Sequence, residues 1–117
     1  MIAVRGFSLA AAMAMREAQG EQSPNFIRRC RRAEFWGLYD PEPVGGIVIE
    51  NGCIHVSSSR PCGLAVRRVV RDALARHGTL YAPIRPGNER AKRLATGLGF
   101  AFWRELDGFE VYRRQNT

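Results

Sequence analysis

Ser59-Arg60-Pro61-Cys62-Gly63-Leu64-Ala65 stands between residues 53–57, which read as a strand, and residues 64–77, which read as a helix. Spacing carries the helix: Val66, Val69, Val70, Ala73 and Leu74 recur at three- and four-residue intervals, with Arg67, Arg68, Arg71 and Arg76 off that stripe. A junction of this kind suits an anion. The first turn of a helix presents unpaired N–H groups at the positive end of the macrodipole, and here they belong to Cys62, Gly63, Leu64 and Ala65. Pro61 adds no donor. Small residues at 63 and 65 let an anion approach the backbone, although a tight strand-to-helix turn would ask for the same glycine. Cys62 reads either as a thiol whose pKa the positive helix end lowers or, with no catalytic partner nearby in sequence, as a small packed residue, the reading preferred.

Upstream lies an antiparallel meander. Residues 34–39 form a strand closed by the turn Asp40-Pro41-Glu42-Pro43, residues 44–50 form the next, and Asn51-Gly52 is a two-residue turn with positive φ at both positions. That turn sets Glu50 opposite Cys53 and Val48 opposite His55. Alternation then puts Val48, Glu50, Cys53, His55 and Ser57 on one face, with Ile47, Ile49, Ile54 and Val56 on the other. Glu50 and His55 become diagonal neighbours, roughly 7–8 Å apart at the backbone. They read either as a base arrangement bridged by one water, with a histidine that titrates near neutral pH, or as a polar sheet face. Further upstream, residues 8–19 read as a helix capped by Ser8, residues 20–24 break it, and residues 25–32 form a short basic helix. The run 7–15 after Arg5 imitates a secretory signal, but its alanines are weakly apolar and one basic residue precedes it, so it reads as amphipathic helix.

Downstream, Gly78 ends the central helix and residues 79–85 form a strand. Pro86-Gly87-Asn88 turns the chain and caps a helix to about residue 98, whose buried side is Ala91, Leu94, Ala95 and Leu98. Residues 100–106 and 109–113 close the chain as a hairpin around Asp107-Gly108. Helices and strands in this order make an α/β layer with a mixed sheet. Phe35, Trp36, Phe102 and Trp103 read as core or as homodimer contact.

With 117 residues, 45% hydrophobic and 25% charged, the chain is expected to be one folded domain over residues 1–117. No apolar run approaches the roughly 20 residues that span a bilayer, so no membrane association is expected. Lysine and arginine number 18 against 11 acids, a net +7, with Lys92 the one lysine. Arginine grips phosphates and carboxylates bidentately, which points to an anionic partner. Arg28, Arg29, Arg31 and Arg32, around Cys30, read either as a dock for nucleic acid or an acidic protein surface, or as a solvated helix face. Cys30, Cys53 and Cys62 make no Cys-x-x-Cys spacing, and with two histidines they offer no recognisable zinc ligand set. A reduced, cytoplasmic protein is expected.

Two motifs resemble the GCN5-related N-acetyltransferases (GNAT family). Arg60-x-x-Gly63-x-Ala65 is similar to the family's pyrophosphate loop, Arg/Gln-x-x-Gly-x-Gly/Ala. Asn88, Ala91, Leu94, Gly99 and Phe100 resemble the family's Asn-x-x-Ala-x-x-Leu…Gly-Phe helix in register, and the two motifs stand in the family's order. The resemblance covers residues 34–113. It implies an α+β fold with a mixed, mostly antiparallel sheet flanked by helices. It also implies transfer of an acetyl group from acetyl-CoA to a small-molecule or protein amine.

In that likeness Arg60, Gly63 and Ala65, with the N–H groups of Cys62, Gly63, Leu64 and Ala65, would cradle the pyrophosphate. The strand from Cys53 would splay from its neighbour, and Val56, Ser57 and Ser58 would bond the pantetheine arm through free backbone. Asn88 would sit beside that arm, Arg67, Arg68 and Arg93 would meet outer phosphates, and Glu50 and His55 would supply the base. The sequence departs at Ala95, seven positions after Asn88, where the family commonly carries a tyrosine acid; Tyr81 and Tyr112 are substitutes outside the motif. Ala95, Pro61 and the arginine cluster leave a second expectation: a catalytically idle, basic binding protein on the same fold.

Overall fold

A computed structural model describes residues 1–20 and 23–116. Among them run β1 Ile2–Arg5, α1 Leu9–Gln19, α2 Phe26–Arg32, β2 Glu34–Tyr39, β3 Pro43–Glu50, β4 Cys53–Ser58, α3 Gly63–His77, β5 Thr79–Ile84, α4 Glu89–Gly97, β6 Ala101–Leu106 and β7 Phe109–Gln115. The strands form one sheet in the order β1-β2-β3-β4-β5-β7-β6. Every pairing is antiparallel except β4 with β5. This is the mixed, mostly antiparallel α+β architecture expected. One element was not: β1 adds an edge strand against β2, pairing Ile2 with Tyr39 and Arg5 with Trp36. It has four residues, three of them exposed, and so lacks the alternation that marks a strand in sequence.

The two faces are covered separately. On one, Val66, Val69, Val70, Ala73 and Leu74 of α3 pack with Leu38, Ile47, Ile49, Ile54 and Leu80, and Ala95 and Leu98 at the end of α4 join them. On the other, Ala11, Ala12 and Met15 of α1 and Phe26 and Cys30 of α2 pack on Phe35 and Val48. α1 lies close to the sheet because Gly37 pairs with Gly46 beneath it. A Cβ at Gly37 would stand 3.0 Å from that of Ala11, and one at Gly46 would stand 2.7 Å from the Phe35 ring. The Ser8 Oγ accepts the Ala11 N–H, and Gly20 ends α1 in the left-handed region at φ 68°. The expected break over residues 20–24 therefore begins at Gly20; residues 21 and 22 lie outside the described residues.

The Asn51-Gly52 turn has φ of 52° and 77°. It sets the expected register, Glu50 with Cys53 and Val48 with His55. A less visible tie joins β2 to the end of α3. The Glu34 carboxylate accepts two bonds from Arg76, at 2.6 and 2.8 Å, and one from the Trp36 indole at 2.7 Å. Burial works to raise the Glu34 pKa, but these donors hold it down at about 2. Among the described residues, no helix is long and apolar enough to cross a membrane.

Candidate functional site

β4 and β5 run parallel but pair at a single position, Cys53 with Tyr81. The Tyr81 N–H donates to the Gly52 carbonyl at 2.9 Å. Beyond that rung the strands part, because β4 stays paired with β3 as far as Ser58 while β5 stays paired with β7 as far as Ile84. A cleft of about 690 Å³ opens through the sheet. His55, Val56 and Ser57 line one wall, Ala82, Pro83 and Ile84 the other. Asn88, Ala91, Leu94 and Ala95 reach it from the α3/α4 face, and Met15, Gln19 and Arg29 from the α1/α2 face. Backbone groups that a closed sheet would pair are turned toward this gap.

The cleft meets a second hollow at the start of α3, with Leu94 and Leu98 shared between them. Pro61, Gly63, Leu64, Arg67 and Arg93 line this hollow; Arg68 is exposed outside it. The first bond of α3 runs from the Val66 N–H to the Cys62 carbonyl, so the N–H groups of Gly63, Leu64 and Ala65 precede it. Gly63 has no positive φ, and a Cβ there would meet nothing within 4 Å. A tight turn is therefore not what requires this glycine. Gly45 shows the contrast, since a Cβ there would run into the Ser57 carbonyl. The room at Gly63 and the row of unpaired N–H groups fit an approaching phosphate. Ala65 is small for another reason, its side chain being buried on the core side of α3.

Two expectations need amendment, the Cys62 pKa and the substitute tyrosines, and Arg60 has a partner of its own. The Cys62 thiol has a raised pKa: burial dominates, and Arg90 only partly offsets it. Arg60 turns to Asp40, donating to its carboxylate at 3.3 Å and its carbonyl at 3.2 Å. Tyr81 packs its ring on Trp103 at 5.1 Å and Tyr112 on Phe102 at 5.9 Å, and no tyrosine is among the described residues lining the cleft.

Glu50 and His55 share the α1/α2 face, with no direct hydrogen bond between them. His55 lines the cleft, and its pKa is lowered by burial and by Arg29, against the pull of Glu50. Glu50 meets the Arg29 guanidinium at 3.8 Å. The Ser57 Oγ donates to Gln19 Oε1 at 2.8 Å, tying α1 to the cleft wall, and the Ser58 Oγ accepts the Arg60 N–H at 3.2 Å. Asn88 Oδ1 caps α4 by accepting the Ala91 N–H at 3.1 Å. Arg28, Arg29, Arg31 and Arg32 are all exposed; within the cluster Arg29 lies 3.8 Å from Glu50 and Arg31 lies 4.5 Å over the Phe7 ring. Sequence reasoning missed Gln19, Arg29 and Arg85 as cleft residues, since each reaches the gap from an element distant in sequence from β4.

No protein-family model matches the sequence, and no curated protein matches it. Solved structures match in shape. The N-acetyltransferase PseH of Campylobacter jejuni aligns with a TM-score of 0.71 at 12% identity over 100% of both chains. The same enzyme in complex with acetyl coenzyme A aligns at 0.62 and 15% identity, over 80% of this chain and 77% of that one. A GNAT-family acetyltransferase from Listeria monocytogenes aligns at 0.62 and 10%, over 97% and 95%. Identities this low speak for architecture, and the architecture is unambiguous: this chain has the fold of the GCN5-related N-acetyltransferases.

Proposed function

We propose that the protein is an acetyl-CoA-dependent N-acetyltransferase, one domain over residues 1–117, acting on a small-molecule or protein amine. The observation that carries this reading is the gap between β4 and β5, which continues into the hollow where Gly63 leaves room at the start of α3. A protein of the same shape, PseH, binds acetyl coenzyme A. In this reading the N–H groups of Cys62, Gly63, Leu64 and Ala65 hold the pyrophosphate, and Arg67 and Arg93 meet the outer phosphates. Val56, Ser57 and Ser58 bond the pantetheine arm through their backbone beside Asn88. Arg60 joins them by exchanging Asp40 for a phosphate. A reduced, cytoplasmic setting suits the three free cysteines.

Bound acetyl-CoA supplies an activated thioester, whose acetyl carbon gains a bond to the amine nitrogen as its bond to sulfur breaks. His55, kept neutral at pH 7 by its lowered pKa, accepts the proton that the amine gives up. Glu50 stabilises the resulting imidazolium. Ala95 offers no proton to the leaving sulfur, so the open cleft leaves that step to water.

Calorimetry with acetyl-CoA tests the reading. Gly63→Asp should abolish binding by placing bulk and negative charge in the hollow. The fold should survive, because a Cβ at this position meets nothing within 4 Å and aspartate suits a first helical turn. Unchanged affinity in the folded variant would reject the assignment.

A further inference from the structure

The cleft opens on both faces of the sheet, and the α1/α2 mouth has a charge of its own. Arg29 of α2 and Arg85, just after β5, both line the cleft. Ile84 pairs with Glu110, which meets Lys92 of α4, so alternation puts Arg85 and the Phe109 ring beneath it on the opposite, α1/α2 side. Among the described residues lining the cleft there is no aspartate or glutamate. The Arg29 side chain is 52% exposed, and its carboxylate contact, Glu50 at 3.8 Å, is too long for a hydrogen bond. The Arg85 guanidinium lies 5.4 Å over the Phe109 ring. Stacking of this kind holds the planar group in place and leaves its edge N–H groups for an acceptor in the same plane. Phe26 and Phe109 add apolar wall to the same cleft. α2 packs on the sheet face opposite α3. Arg29 thus belongs to the mouth away from the start of α3.

Two guanidinium groups beside a neutral imidazole repel a ligand that is only cationic and attract one that also carries negative charge. We propose that the acceptor bears, besides its amine, an anionic oxygen group, a carboxylate or phosphate, which Arg29 grips with Arg85 at the α1/α2 mouth. The term acceptor rests on the acetyltransferase reading; the anion preference rests on the mouth itself. The apolar walls then run along the carbon chain between the two charged ends.

The test is a calorimetric titration of the CoA-saturated protein with butylamine, 4-aminobutanoate and 4-aminobutyl phosphate. The anionic members should bind roughly tenfold or more tightly than the plain amine, as charge-assisted hydrogen bonds imply. The carboxylate and phosphate arms tell which group the mouth takes. Arg29→Gln, shown folded by circular dichroism and still binding CoA, should erase the difference. Three equal affinities, no detectable binding of either anionic ligand at millimolar concentration, or a preference that survives Arg29→Gln would each overturn the proposal. Should the protein fail to bind CoA, the acetyltransferase reading falls, and the same titration of the free protein still reads the preference.

Discussion

Ala95 is a methyl group on the cleft wall, 5% exposed, one turn after Ala91 on α4. A phenol in its place would project into the gap between β4 and β5, where the proposed reaction releases its thiolate. Ala95→Tyr is therefore expected to speed the release of free thiol from acetyl-CoA. General acid help is worth roughly 10²–10⁴-fold where geometry permits. The opposing cost is overpacking, typically about 1–3 kcal/mol. The variant's rate counts only once melting and calorimetry show it folded and cofactor-bound. A slower rate in such a variant would mean that water already protonates the sulfur adequately. The alanine's position was legible in sequence, because a helical stripe fixes which side of α4 faces inward. The Cys62 pKa was not. The start of a helix can be read from a junction, but the burial that raises this pKa is tertiary. Arg29 escaped for the same reason, since nothing in a run of arginines says which one will reach the cleft.

At the level of elements, the Glu34–Arg76 tie fastens β2 to the last turn of α3, and its pH dependence follows from the sign of the shift. The Glu34 pKa falls from 4.5 to about 2 on folding. A depressed carboxylate contributes stability that is complete above the unfolded value and is lost as pH falls through the folded one. The melting temperature should therefore drop between pH 4.5 and 2, through protonation of Glu34. Glu34→Gln should lose roughly 1–3 kcal/mol at pH 7 and show a flatter curve in that window. A parallel curve for the variant would assign the acid loss to other groups. This tie joins residues 42 apart in sequence, and no local pattern announces it. The meander was legible, since Asn51-Gly52 demands positive φ and fixes both register and faces. The helices were legible from period and caps, Ser8 and Asn88 both accepting the bonds their positions suggest. β1 was not, for its ordering comes from the β2 edge and not from its own four residues. The splay of β4 from β5 entered only through the likeness to a family, because separation of two strands leaves no mark on either.

Across the whole molecule that splay divides the sheet into β1–β4 and β5–β7, joined along the seam by one rung at Cys53 and Tyr81. α3 connects the two parts in sequence, and its core touches residues of both, Ile47 and Leu80 among them. A ligand lying in the seam supplies the bonds that a closed sheet would have made, and so stabilises the two parts together. Acetyl-CoA at 100 times its dissociation constant should add about 2.7 kcal/mol. For a chain of this size that is roughly 10 °C in melting temperature. A chain of net charge +7 gathers polyanions of any kind, so the temperature shift alone does not locate the ligand. Amide hydrogen exchange does. Protection should grow on β4 and β5 together, strongest beyond the Cys53–Tyr81 rung. Inorganic pyrophosphate, which cannot reach along the seam, should protect at most the first turn of α3. Protection confined to α3 with acetyl-CoA as well would mean that the cofactor's phosphates bind while its arm stays outside the gap. The cleft between the strands would then have to be assigned to something else.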